Sequence, residues 1–100
     1  MAAKEKVLYL NGLLIEKDVI MLREKLQALA NEFDTVYLDM QHVKIIDSMC
    51  LGLLVVFNKR MMLKGGRVTI LNPSKNVREL LLLTSLGQHF NVSGVQESTI

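Results

Sequence analysis

The chain has 100 residues, half of them hydrophobic and 22% charged, enough for one domain over residues 1–100 that buries about two-thirds of its unfolded surface, and too apolar for a disordered segment. A net charge of +2 from dispersed Lys and Arg, with no Trp and 5% aromatic residues, argues against nucleic-acid recognition. One cysteine cannot form an internal disulfide, the N-terminus lacks a signal-peptide pattern, and the longest apolar run, residues 49–57, is far short of the roughly 20 residues that span a bilayer, so a soluble cytoplasmic protein without direct membrane insertion is expected.

Val7-Leu8-Tyr9-Leu10 is rich in strand formers and meets Asn11-Gly12, a strong turn signal, before Leu13-Leu14-Ile15 resumes the apolar run. This predicts a hairpin or a bent edge pair. Asp18 stands at an N-cap position, and Val19, Leu22, Leu26, Leu29 and Phe33 follow at helical spacing opposite Arg23, Glu24, Lys25 and Gln27, as in an amphipathic surface helix. Residues 36–40 read as a central strand and residues 43–46 as a short approach to a second helix opening near Ser48. That helix runs to Gly65-Gly66, which permits a left-handed stop, with Lys59, Arg60 and Lys64 where cations favour the helix dipole. Residues 67–71 are a strand, and Asn72-Pro73-Ser74 is a turn with an N-cap. Val77, Leu80, Leu81 and Thr84 form a further helical stripe that Gly87 ends, and Phe90 with Val92 docks a last short segment. Strands alternating with helices imply an open sheet of four to five strands, mixed and largely parallel, with helices mainly on one face of an α/β domain.

The second helix has two apolar faces. Leu51, Leu54, Val55, Asn58 and Met62 share one, and Met49, Leu53, Val56 and Phe57 lie roughly opposite. One sheet cannot cover both, so the second stripe is either covered by a neighbouring helix or left as an apolar patch beside Ser48. The hydroxyl of Ser48 sits where a strand gives way to a helix, near free backbone N–H groups and the positive end of the dipole that would receive a phosphate. Ser48 and Asp47 compete for the N-cap: if Asp47 takes it, Ser48 points outward from the first turn.

Other chemistry is weakly supported. Cys50 has no histidine tied to it by a motif and reads as a small packed residue, and His42 and His89 lack metal-ligand spacing with any carboxylate or thiol, so neither a metal nor a cofactor is expected. Asp39 at a strand end superficially matches a receiver-domain phosphoacceptor, but the acidic pair that holds Mg²⁺ there is missing from residues 7–15.

The series Leu38-Asp39, Ile46-Asp47-Ser48, Leu51-Gly52, Lys64-Gly65-Gly66-Arg67, Leu71-Asn72-Pro73-Ser74, Glu79-Leu80-Leu81, Leu86-Gly87 and Phe90 resembles the STAS domain of bacterial anti-sigma factor antagonists. That family's pattern reads Asp-Ser-Ser-Gly-Leu-Gly at the helix start. The resemblance implies a non-enzymatic partner switch with Ser48 as phosphoacceptor. Its implied partners are an anti-sigma factor of the histidine-kinase-like ATPase type, which is also the serine kinase, and a PP2C-type phosphatase. The implied contact surface comprises Asp47, Ser48, Met49, Cys50, Gly52, Leu53, Val56 and Phe57. Met49 and Cys50 replace the second Ser and the Gly of the motif, a bulkier and more apolar start that leaves room for the alternative of a STAS adaptor docked in a lipid-transport ATPase complex or a stress-signalling scaffold.

Overall fold

The computed structural model describes residues 4–84 and 88–94. In chain order it contains β1 (Glu5–Leu14), a single 3₁₀ turn (Glu16–Asp18), α1 (Val19–Glu32), β2 (Thr35–Ile46), α2 (Ser48–Leu63), β3 (Arg67–Leu71), α3 (Lys75–Leu83) and β4 (Asn91–Ser93). The strands form one sheet in the order β1-β2-β3-β4, and every neighbouring pair is parallel. Parallel neighbours need a crossover between them, which the three helices supply. Crossovers of the usual right hand, always stepping the same way, place the helices on one face.

The expected hairpin at Asn11-Gly12 is therefore corrected, and the expected largely parallel α/β sheet is found with four strands, all parallel among the described residues. β1 continues through Asn11 and Gly12 with Gly12 at φ +72°, a conformation that strains residues bearing a Cβ. The irregularity belongs to the ladder: Tyr9 to Asn11 pairs with Asp39 to His42, and Gly12 to Leu13 with Val43 to Ile45, so β2 carries two extra residues. Each bulge shifts the pleat by one. Buried apolar positions on β2 consequently fall at Val36, Leu38, Met40, Val43 and Ile46, a spacing of two, two, three and three. Strict alternation fails after Met40, which is why the sequence reads as two strands where the structure has one.

The core lies between this sheet face and the helices. Val36, Leu38, Met40, Val68 and Ile70 from the strands meet Leu22, Leu26 and Leu29 of α1 and Leu51, Leu54 and Val55 of α2. Met61 of α2 is buried where Met62 was expected, and Met62 faces solvent. α2 ends in a Schellman arrangement: Gly66 N–H donates to the Met61 carbonyl (2.8 Å) and Gly65 N–H to that of Met62 (3.0 Å), with Gly65 at φ +83°. A Cβ on Gly66 would lie 2.4 Å from the Asp34 carbonyl oxygen, so this glycine is required by close approach. The Lys64 ammonium, expected to complement its own helix, instead donates to the carbonyls of Ala30 and Phe33 (2.7 Å to the latter) at the end of α1.

β2 outruns β3, which pairs with it only as far as Asp39. Beyond that point the β3–α3 turn takes over. Ser74 N–H donates to the Met40 carbonyl (3.2 Å), the Ser74 hydroxyl to that of Val43 (2.5 Å), and the Asn76 amide to that of Lys44 (2.8 Å). Ser74 also caps α3, its hydroxyl accepting from Val77 N–H at 3.4 Å. The helix stops at Leu83, and the expected stop at Gly87 lies outside the described residues. Phe90 is buried and Val92 pairs with Ile70 as β4 joins the sheet.

Candidate functional site

Asp47 takes the N-cap of α2. Its backbone is extended (φ −88°, ψ 171°), and its carboxylate accepts from Cys50 N–H at 2.8 Å. That hydrogen bond, with smaller contributions from the N–H groups of Glu16 and Met49, holds the carboxyl below its ordinary value despite some desolvation. Ser48 is the first residue of the helix proper and is exposed. The competition for the cap is thus resolved: the fold does not need the serine hydroxyl to cap α2. One expectation changes with it. Of the backbone donors at the start of α2, Cys50 N–H is taken by the Asp47 carboxylate and Leu51 N–H by the Asp47 carbonyl (3.0 Å), and a phosphoryl group on the exposed Ser48 would project into solvent or into a partner.

The start of α2 is tied to the end of β1. Asp47 N–H donates to the Leu14 carbonyl (3.0 Å), and the Cys50 thiol to that of Ile15 (3.4 Å). Cys50 is fully buried, and burial, with the Asp47 carboxylate beside it, pushes its pKa up to about 11. A buried, protonated thiol is neither a nucleophile nor a contact residue. The expectation that Cys50 belongs to the partner surface is corrected, while its reading as a packed residue stands.

The second stripe of α2 divides. Met49 is 50% exposed and Val56 63%, Leu53 is partly buried against the core, and Phe57 is only 4% exposed. Phe57 is therefore removed from the expected contact surface: α1 packs beside α2 and covers that side of the helix. Gly52 faces open space, with nothing within 4 Å of where a Cβ would stand. The surface that remains near Ser48 comprises Asp47, Met49, Gly52, Leu53 and Val56. Sequence reasoning missed a further apolar pair, Leu13 and Ile45, which pair across β1 and β2 and are exposed, while Leu14 and Ile46 next to them are buried. The signal was present in the two apolar doublets, since adjacent strand residues point to opposite faces.

Asp39 is structural. It is buried, and its carboxylate accepts from Gln41 N–H (3.1 Å) and from the Asn72 amide (3.1 Å), joining β2 to the β3–α3 turn where Asn72 adopts φ 49°. His42 and His89 are exposed. The His89 carbonyl accepts from the buried Asn58 amide, which fastens the returning chain to α2. Among the described residues no group of three or more His, Cys, Asp or Glu could hold a metal ion, and no helix is long and apolar enough to cross a membrane.

A model of the STAS domain matches residues 3–98. The chain belongs to the STAS family. Similar solved structures are those of anti-sigma factor antagonists. The STAS chain resembles SpoIIAA in its unphosphorylated form with 25% identity and a TM-score of 0.76, over 97% of this chain and 85% of that one. A putative anti-sigma factor antagonist from Thermotoga maritima, TM1081, shares the fold at 24% identity with a TM-score of 0.78, covering 89% and 80%. So does the phosphorylated form of the Bacillus cell fate determinant SpoIIAA, at 24% identity and a TM-score of 0.70, covering 97% and 88%. No curated protein sequence matches the chain.

Proposed function

We propose that this STAS domain is an anti-sigma factor antagonist switched by phosphorylation at Ser48. Unmodified, it binds an anti-sigma factor of the histidine-kinase-like ATPase type; that partner phosphorylates it and lets go, and a PP2C-type phosphatase resets it. The domain contributes the acceptor and no catalysis. The observation that carries the reading is the exposed Ser48 at the first position of α2, relieved of capping by Asp47 and flanked by the exposed Met49. A phosphoserine brings about −1.5 to −2 charges, and on an exposed side chain that charge meets the partner directly beside the Asp47 carboxylate. A hundredfold loss of affinity needs about 2.7 kcal/mol, within reach of one desolvated phosphate.

The test incubates the domain with a recombinant histidine-kinase-like anti-sigma factor and ATP, maps phosphate by mass spectrometry and measures binding by calorimetry. Wild type gains one phosphate, on Ser48. Ser48→Ala gains none and still binds, and Ser48→Asp binds at least about tenfold more weakly. Ser48→Asp binding as tightly as wild type refutes the charge switch. The adaptor reading is favoured by a different observation, the exposed thioether of Met49 in place of a second hydroxyl. It is the reading to adopt if no phosphate is gained and the domain remains bound in the presence of ATP.

A further inference from the structure

We propose that the furrow between α1 and α2 is a second docking surface, which receives an acidic amphipathic helix of the partner; this rests on the partner-switch reading above. The furrow encloses about 170 Å³, close to the ~150 Å³ that accommodates a benzene-sized apolar group, and so takes one or two aliphatic side chains. Leu26 and Phe57 are buried at its floor, and Leu53 and Val56 form a wall. Val56, 63% exposed, is the largest apolar surface the free domain leaves open there.

Charge selects the occupant. Arg23 on α1 and Arg60 on α2 both line the furrow, and among the described residues no carboxylate lines it. The Arg60 guanidinium donates to the Asn31 side-chain oxygen at 3.1 Å, which orients it while leaving further N–H donors for a carboxylate. An apolar trough flanked by two guanidiniums fits a helix with aliphatic anchors at i, i+3 and i+4 and Asp or Glu beside them. The trough is continuous with the Ser48 site, because Met49, Leu53 and Val56 recur at i, i+4 and i+7 along α2. Val56 nonetheless lies eight residues, about 12 Å, beyond Ser48, more than a Debye length at physiological salt. Charge at Ser48 therefore acts on one end of the interface and leaves the furrow's own affinity nearly unchanged.

The probe is a synthetic, end-capped helical peptide with Leu at i, i+3, i+4 and i+7 flanked by Glu, compared with the same peptide carrying Lys for every Glu. Binding to the full 15N-labelled chain is followed by NMR. The Glu peptide is expected to saturate, with shifts centred on Leu53, Val56 and Arg60. Its affinity is expected to fall at least about tenfold in the Arg23→Glu/Arg60→Glu variant and in Val56→Asp, whose melting temperatures, near wild type, show that they fold. Ser48→Asp should bind the peptide within about twofold of wild type. No saturation by about 1 mM peptide, equal affinity for the Lys peptide, or shifts centred elsewhere overturns the proposal. An intact peptide response together with a Ser48→Asp variant that still binds the kinase tightly supports the furrow and refutes the switch, so the two failures are distinguishable.

Discussion

Phe57 and Val56 are consecutive in sequence and about 100° apart on the helix, so substituting each tests the rotation of α2, on which the whole docking surface depends. Phe57 is 4% exposed, belongs to the same buried core as Leu22, Leu26 and Leu29 of α1, and lies beside Leu26. Truncation to Ala removes a buried ring and leaves a cavity, which costs about 3–5 kcal/mol, a large part of the roughly 5–15 kcal/mol that holds a domain of this kind. With about 4–8 °C lost per kcal/mol at this chain length, Phe57→Ala should melt on the order of 12–40 °C lower. Val56→Ala, at a mostly solvated position, should stay within about 0.5 kcal/mol of wild type, a shift of at most about 4 °C. Thermal and urea unfolding followed by circular dichroism measures both. If Val56→Ala proved the costlier, or the two were equal, α2 would be rotated from the orientation described and the Met49–Val56 surface would be core.

Two further outcomes concern the start of α2. The Asp47 carboxyl titrates below its unfolded value, so the unfolded chain binds more protons and stability rises with pH. The stability advantage of wild type over Asp47→Ala should be complete above pH 3.8 and should close as pH falls through the lower folded value; a gap unchanged by acid in melts down to about pH 2 would remove the charged cap from the account. Cys50 behaves oppositely, because its folded pKa is raised from 9.0 to about 11. Its contribution should be lost as pH rises across that interval, and native protein at pH about 8 should react with iodoacetamide at least about a hundredfold more slowly than protein in urea; equal rates would mean that the thiol is exposed.

Much of the fold was legible because its signals are local. The 67–71 strand, the Asn72-Pro73-Ser74 cap and the Gly65-Gly66 stop each follow from the residues involved and the conformations open to them. What could not be read were features set by neighbours. The bulges of β2 exist only against β1, so a continuous strand looked like two, and Asn11-Gly12 imitated a hairpin turn. Phe57 and Met62 sit on an apolar-all-round helix whose rotation is decided by α1 and the sheet, which no periodicity within residues 48–63 reveals. At the site, Ser48 and Asp47 were visible as a pair, but which one caps depends on backbone angles. The burial of Cys50 depends on the Ile15 carbonyl, 35 residues away in sequence.

The two bulges have a consequence for the molecule's behaviour in solution. β1 is a ten-residue strand at the rim of the sheet, and a long, flat rim is a template on which other chains can align and polymerise. Breaks in pairing after Tyr9 and after Gly12 add local twist, confining the regular run to Glu5 through Tyr9. The opposite rim, β4, spans three residues, too few to recruit one. Both borders thus discourage edge-to-edge stacking of a half-hydrophobic chain whose apolar helix surface stays open.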